Sequence, residues 1–235
     1  MASVGLTSKA GGQVRRGNLA PLTSSVGLKA VMAVSGFVWV GFLVGHLGTN
    51  AHLFGGPESL NDYYASLKAN AVLFWGVRVV LATSIAAHIA AATILTRRSN
   101  AARGVGYRVR QYRTSSFAGR TMPWTGVVVA LFILYHLLHF TTGQAMPAGT
   151  TFIEGDDYSN IVSSFSISYV ALIYIVCLVL LGFHLWHGAF AATLSLGLRH
   201  PRYTRAVRLA VGALVAGLLA GMLSMPISVL AGLVR

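Results

Sequence analysis

Five apolar stretches dominate this chain, and each is long enough as a helix to cross the roughly 30 Å of bilayer hydrocarbon, which takes about 20 residues. They run over residues 28–53, 71–96, 124–142, 168–194 and 207–233. Only 10% of the 235 residues are charged, 55% are hydrophobic, and the mean hydropathy is +0.67. A soluble domain carries about a quarter of its residues as charges. The expected architecture is an all-α membrane protein: a polar arm over 1–26, then a five-helix transmembrane bundle over 27–235. The first apolar run is too long for a signal-peptide core and follows a polar segment, so the arm reads as cytoplasmic. Pro123 suits the first turn of the third helix, and Pro226 lies within the fifth, where it should kink it.

The charges divide by side. The arm and start of the first helix hold Lys9, Arg15, Arg16 and Lys29. The second connection holds Arg97, Arg98, Arg103, Arg108, Arg110, Arg113 and Arg120, and the fourth holds Arg199, Arg202, Arg205 and Arg208. All five acids, Glu58, Asp62, Glu154, Asp156 and Asp157, fall on the opposite side of a five-crossing topology. Positive charge stays inside, which predicts a cytoplasmic N-terminus and an external C-terminus. The net charge of +13 is thus a topology signal; no basic stretch carries a nucleic-acid-binding motif, and no nucleic acid is expected as a partner. The second connection reads either as a helix lying on the membrane surface or as a solvated basic loop. The single Cys177 permits no intramolecular disulfide, and without a C-x-x-C-H motif any haem is held non-covalently.

Six of eight histidines lie inside the apolar stretches: His46, His88, His136, His139, His184 and His187. Ionisable side chains within a bilayer are rare and point to function. At 1.5 Å per residue, His46 lies ~24 Å and His136 ~18 Å from the inner face, both in the outer half. His88 lies ~26 Å and His184 ~24 Å from the outer face, both in the inner half. Two pairs at two depths suit two haem irons, each clamped by neutral imidazoles and ~10–20 Å apart. Spacing does not choose between His136 and His139, or between His184 and His187, because residues three apart share a helix face. Gly36, Gly41, Gly45, Gly48, Gly182 and Gly188 leave room for a flat macrocycle or for close helix packing; Gly217 and Gly221 read as packing. Arg78, ~10 Å below the outer surface, needs an anion such as an outer haem propionate, or must snorkel to the interface.

These residues resemble a known family. His46-Leu-Gly-Thr-Asn50 is followed by Leu53-Phe54-Gly-Gly-Pro57-Glu58 and Asn61-Asp62-Tyr63. His88 is followed by Arg97, Arg98, Asn100, Ala101, Arg103 and Tyr107. The third and fourth helices carry His136-Leu-Leu-His139-Phe140 and His184-Leu-Trp-His187-Gly188. From about residue 28 to 188 the set is similar to the five-helix, two-haem cytochrome b anchor of bacterial succinate dehydrogenase and fumarate reductase. The resemblance implies that the first His of each H-x-x-H is the ligand, so that His46, His88, His136 and His184 bind the two b haems. It implies an iron–sulfur protein and a flavoprotein with covalent FAD as cytoplasmic partners, the cell membrane of a bacterium as location, and electron transfer from the iron–sulfur partner through both haems to menaquinone. This chain has no flavin motif and too few cysteines for a cluster, so it holds no succinate-oxidising site. Some family members carry a glutamate just before the last ligand; here that stretch is Leu181-Gly182-Phe183.

A quinone reduced to a quinol takes up two protons, so its site needs proton-relaying groups near water. The loop after the first helix offers Glu58, Asp62, Tyr63 and Tyr64 near the outer haem; a pocket near the inner haem is the rival. Two other functions remain open from the residues: a cytochrome b subunit of a hydrogenase or formate dehydrogenase, and a haem-free transporter relaying protons through its histidines.

Overall fold

The computed structural model describes residues 23–102, 117–198 and 200–235. Residues 1–22 of the expected polar arm, most of the second connection with its expected surface helix or loop, and Arg199 lie outside the described residues, while the arm's last residues open the first helix.

Every regular element among the described residues is a helix. Five helices are long and apolar enough to cross a membrane, which makes this a multi-pass membrane protein. We number the helices α1 (Ser25–Ala51), α2 (Gly56–Ala69), α3 (Ala71–Ala101), α4 (Phe117–Phe140), α5 (Asp157–Phe165), α6 (Ser168–Ser195) and α7 (Thr204–Leu230); a 3-10 turn, His52–Gly55, joins α1 to α2. The long helices are α1, α3, α4, α6 and α7. Large apolar side chains such as Val72, Trp124, Leu131 and Leu172 stand exposed on them. Such a surface is unfavourable in water and suits hydrocarbon.

Local chemistry sets the ends. Ser24 Oγ accepts from Gly27 N at 3.0 Å and starts α1 three residues before the apolar run. Asn70 Oδ1 accepts from Leu73 N at 3.0 Å and caps α3. Both are side-chain N-caps, satisfying an orphan donor of the first turn. The expected start of the third crossing is corrected: α4 begins at Phe117, so Pro123 lies inside the helix rather than in its first turn. Apolar length, on which that expectation rested, is blind to a polar first turn such as Gly119-Arg120-Thr121.

The segment after α1 is also corrected. Glu58–Tyr64 is not a loop but half of helix α2, opened by Pro57 in its first turn, where a missing N–H costs nothing. A second short helix, α5, is capped by Asp156, whose Oδ1 accepts from Ser159 N at 3.0 Å. The two meet at the acidic end of the bundle: Asn61 bonds Asp156 Oδ1 and Tyr158 N, each at 3.0 Å, and Lys68 pairs with Asp157 at 3.1 Å. Leu53 and Leu60 pack there against Phe165, Val170, Ala171, Tyr174 and Val229 in one buried cluster. At the opposite, basic end, Arg98 donates to Thr23 O at 2.9 Å, tying α3 to the start of α1.

Within the bundle α1 packs on α3, α6 and α7; α6 also packs on α4 and α7. The seam between α6 and α7 is close. A Cβ added at Gly212 would lie 2.5 Å from Trp186, and one at Gly182 3.1 Å from Leu219. On the α1 side, a Cβ at Gly221 would lie 2.8 Å from Leu47, so Gly221 is a packing glycine.

Candidate functional site

A cleft of ≈ 4060 Å³ runs between α1 and α3 on one side and α4 and α6 on the other. Typical small-molecule sites measure roughly 300–1,000 Å³, so this space is large enough for more than one cofactor. His46, His88, His136, His184 and His187 line it; His139 does not.

Four of the five cleft histidines stand in two pairs. The ring centroids of His46 and His136 are 5.7 Å apart with planes at 87°. Those of His88 and His184 are 6.4 Å apart with planes at 60°. Two imidazoles facing each other across one metal, each with a metal–nitrogen bond of ~2 Å, place their ring centroids roughly 6 Å apart.

Hydrogen bonds on the far side of each ring set its tautomer. His88 Nδ1 lies 3.0 Å from Met32 O, and a carbonyl only accepts, so Nδ1 carries the proton. His184 Nδ1 lies 3.3 Å from Thr125 Oγ1, which donates its own proton to Met122 O at 3.2 Å and therefore accepts from the ring. In both rings the lone pair is left on Nε2. A ligating histidine is oriented in this way by the partner of its other nitrogen. A Cβ at Gly36 would lie 3.5 Å from His88 Cε1, and one at Gly126 3.5 Å from His184 Cε1. These glycines thus lie against the rings of the basic-end pair. His46 stacks on Phe42 at 5.2 Å, and Asn50 Nδ2 approaches its ring nitrogens at 3.3 and 3.4 Å.

His139 differs from its neighbour one turn away. It is 0% exposed, and both of its nitrogens are engaged, Nδ1 with Tyr174 and Nε2 with Ser164, each at 3.0 Å. It has no lone pair to offer the cleft. His52 sits in the 3-10 turn, bonded to Ser59 Oγ at 2.9 Å and stacked on Tyr63 at 4.3 Å. His200 caps the turn before α7.

No family model, curated protein or solved structure matches the chain.

Among the described residues, no group of three or more His, Cys, Asp or Glu side chains converges to hold a metal ion. Two imidazoles alone do not complete a site for a bare ion such as zinc, which takes four ligands in structural sites. They do complete one for an iron whose remaining positions are filled by a porphyrin. A second observation agrees: Trp39 Nε1, on the cleft wall two turns before His46, is buried with no hydrogen-bond partner among the described residues. A buried donor without an acceptor is costly, and an anionic edge of a cofactor would satisfy it. The residues fit haem.

The remaining candidate residues divide. Arg78 lines the cleft with its guanidinium 3.9 Å over the Phe74 ring. Tyr63 and Tyr64 line its acidic-end mouth, and Tyr64 Oη lies 3.5 Å from Asn50 Oδ1. Glu58 and Asp62 are exposed and do not line the cleft; Lys68, Glu154 and Asp157 do. Of the glycines, Gly36, Gly45 and Gly188 line the cleft, whereas Gly182 is spent on packing. Sequence reasoning missed Ser35, Trp39, Thr125, Gly126, Ser164 and Tyr174. Ser35 Oγ lies 3.2 Å from His88 Nδ1, and all of these residues but Trp39 act across a helix–helix contact, which no spacing along one helix records.

Proposed function

We propose that the chain is the membrane-anchor cytochrome b subunit of a bacterial succinate:menaquinone oxidoreductase, holding one b haem between His46 and His136 and another between His88 and His184. The observation that carries the reading is the pairing of four imidazoles from four membrane-crossing helices at two levels of one cleft. When bound, the haems supply one-electron carriers at two depths. The chain's own side chains hold and orient them. His88 and His184 present Nε2 because Met32 O and Thr125 Oγ1 engage Nδ1. Trp39 Nε1 and Arg78 offer a hydrogen-bond donor and a cation to anionic substituents. The acidic end faces outward and the basic end faces the cytoplasm, where an iron–sulfur protein and an FAD-bearing flavoprotein dock.

Menaquinone takes its protons at the outer mouth of the cleft. The groups lining that mouth are Tyr63, Tyr64, Lys68, Glu154 and Asp157. They replace Glu58 and Asp62 as the groups placed to pass protons from water.

The test is purification from the native membrane, a visible spectrum with haem counted per chain, and identification of co-purifying subunits. Low-spin b-type bands, two haems per chain, and an iron–sulfur protein with a flavoprotein are expected. A chain without haem removes the reading and leaves the proton-relaying transporter. Haem with a hydrogenase or formate dehydrogenase partner moves the chain to that other cytochrome b.

A further inference from the structure

Three buried polar side chains near the outer end of α6 take no part in holding haem directly. Tyr174 is 4% exposed, His139 0% and Ser164 0%. They link into one line with His136. Tyr174 Oη lies 3.5 Å from His136 Nδ1 and 3.0 Å from His139 Nδ1; His139 Nε2 lies 3.0 Å from Ser164 Oγ; Ser164 Oγ lies 2.7 Å from Asn160 O.

The end of this line fixes the direction of every bond in it. A backbone carbonyl only accepts, so Ser164 donates to Asn160 O. A longer contact from Ser164 Oγ to Met146 Sδ, 3.9 Å, is weaker. Its proton committed, Ser164 accepts from His139 Nε2–H. A neutral imidazole carries one N–H, so His139 Nδ1 accepts, and its donor is the Tyr174 hydroxyl. Tyr174 in turn accepts from His136 Nδ1–H. The lone pair of His136 is left on Nε2.

We propose that Tyr174, His139 and Ser164 are positioning residues, forming a one-way hydrogen-bond chain that holds His136 in its ligating tautomer and strengthens electron donation from its Nε2 to the outer haem iron. This rests on the haem reading above. Hydrogen bonds in a low-dielectric interior polarise one another along a chain, and an acceptor on the far nitrogen raises the basicity of a ligating histidine. A more basic ligand favours the ferric state and lowers the midpoint potential of that haem. The lines behind the inner pair are shorter: His88 Nδ1 meets Met32 O at 3.0 Å and Ser35 Oγ at 3.2 Å, and His184 runs through Thr125 alone to Met122 O.

The experiment is redox potentiometry of both haems in the purified complex. Tyr174→Phe keeps the ring in the core and removes only the hydroxyl. Both haems are retained, the outer potential rises and the inner one does not move. Ser164→Ala, two bonds further from His136, shifts the outer potential the same way by less. His139→Gln, able to accept from Tyr174 and donate to Ser164, stays nearer wild type than His139→Leu. If Tyr174→Phe does not fold, the Ser164 and His139 variants carry the same comparison. Both haems bound with the outer potential unchanged in these variants overturns the chain and leaves the haem reading intact. Wild-type protein without b-type haem overturns both.

Discussion

A histidine three residues from another on a helix has nearly the same outlook, and here packing separates their roles. His136 keeps an open nitrogen toward the cleft, while His139 spends both on the buried core. His46→Ala and His136→Ala are each expected to remove the same haem, and His88→Ala and His184→Ala the other. Haem stoichiometry with low-temperature spectra of the single variants checks this, and loss of different haems from His46→Ala and His136→Ala contradicts the pairing. His139→Leu should retain both haems but lower thermal stability, because the Tyr174 and Ser164 hydroxyls each lose a partner at about 1–3 kcal/mol per buried group. Arg78 is the other residue whose charge matters. Arg78→Leu removes a cation from the cleft wall, and the outer haem's potential should fall by redox potentiometry. An unchanged potential means that the Arg78 side chain serves only its stacking on Phe74.

At the scale of elements, α2 and α5 decide the shape of the cleft's acidic-end mouth, and short polar contacts hold them. Asp156 caps α5 and also binds the Asn61 amide of α2. Bonds from Ser159 and then Asn61 hold its carboxyl below the ordinary value of 3.8. The folded state therefore favours the ionised form. That contribution is complete at pH values above the ordinary pKa and fades as the pH falls through the lowered one. Asp156→Ala should cost about 0.5–2 kcal/mol at neutral pH, as loss of an N-cap does. The gap between the variant and wild type should narrow on acidification below about pH 4. Thermal melts of both proteins across pH read this directly. A gap constant with pH would show that the carboxylate's charge plays no part. The Lys68–Asp157 pair beside it is partly exposed on the lysine side and adds little on its own.

Among the described residues the bundle is polarised, acidic at one end and basic at the other. Charge bias of this kind sets orientation, and in the proposed complex it also offers the cytoplasmic partners a cationic face. Reversing Arg108, Arg110 and Arg113 to Glu should reduce co-purification of those partners and steepen its loss with added salt, since screening weakens exposed charge contacts. The haems should remain bound and the topology unchanged. Full assembly with unaltered salt sensitivity would leave these arginines a topological role alone.

Much of this was legible along the chain. Apolar length alone located all five crossings to within a few residues at most ends, because spanning hydrocarbon demands a run of about 20 residues whatever its neighbours. Helix rise placed four histidines at two depths, because 1.5 Å per residue is fixed by backbone geometry. Two helices at the acidic end escaped that reading: Gly56–Ala69 and Asp157–Phe165 are short and polar, and they are held by contacts with each other and with Leu53, Val170 and Val229. Only the tertiary structure placed Glu58 and Asp62 away from the cleft and engaged both nitrogens of His139. It alone put Tyr174, Thr125 and Met32 behind the rings that line the cleft. A sequence records which residues share a helix face, but which nitrogen of a ring is free depends on hydrogen bonds between helices, and those exist only once the helices have packed.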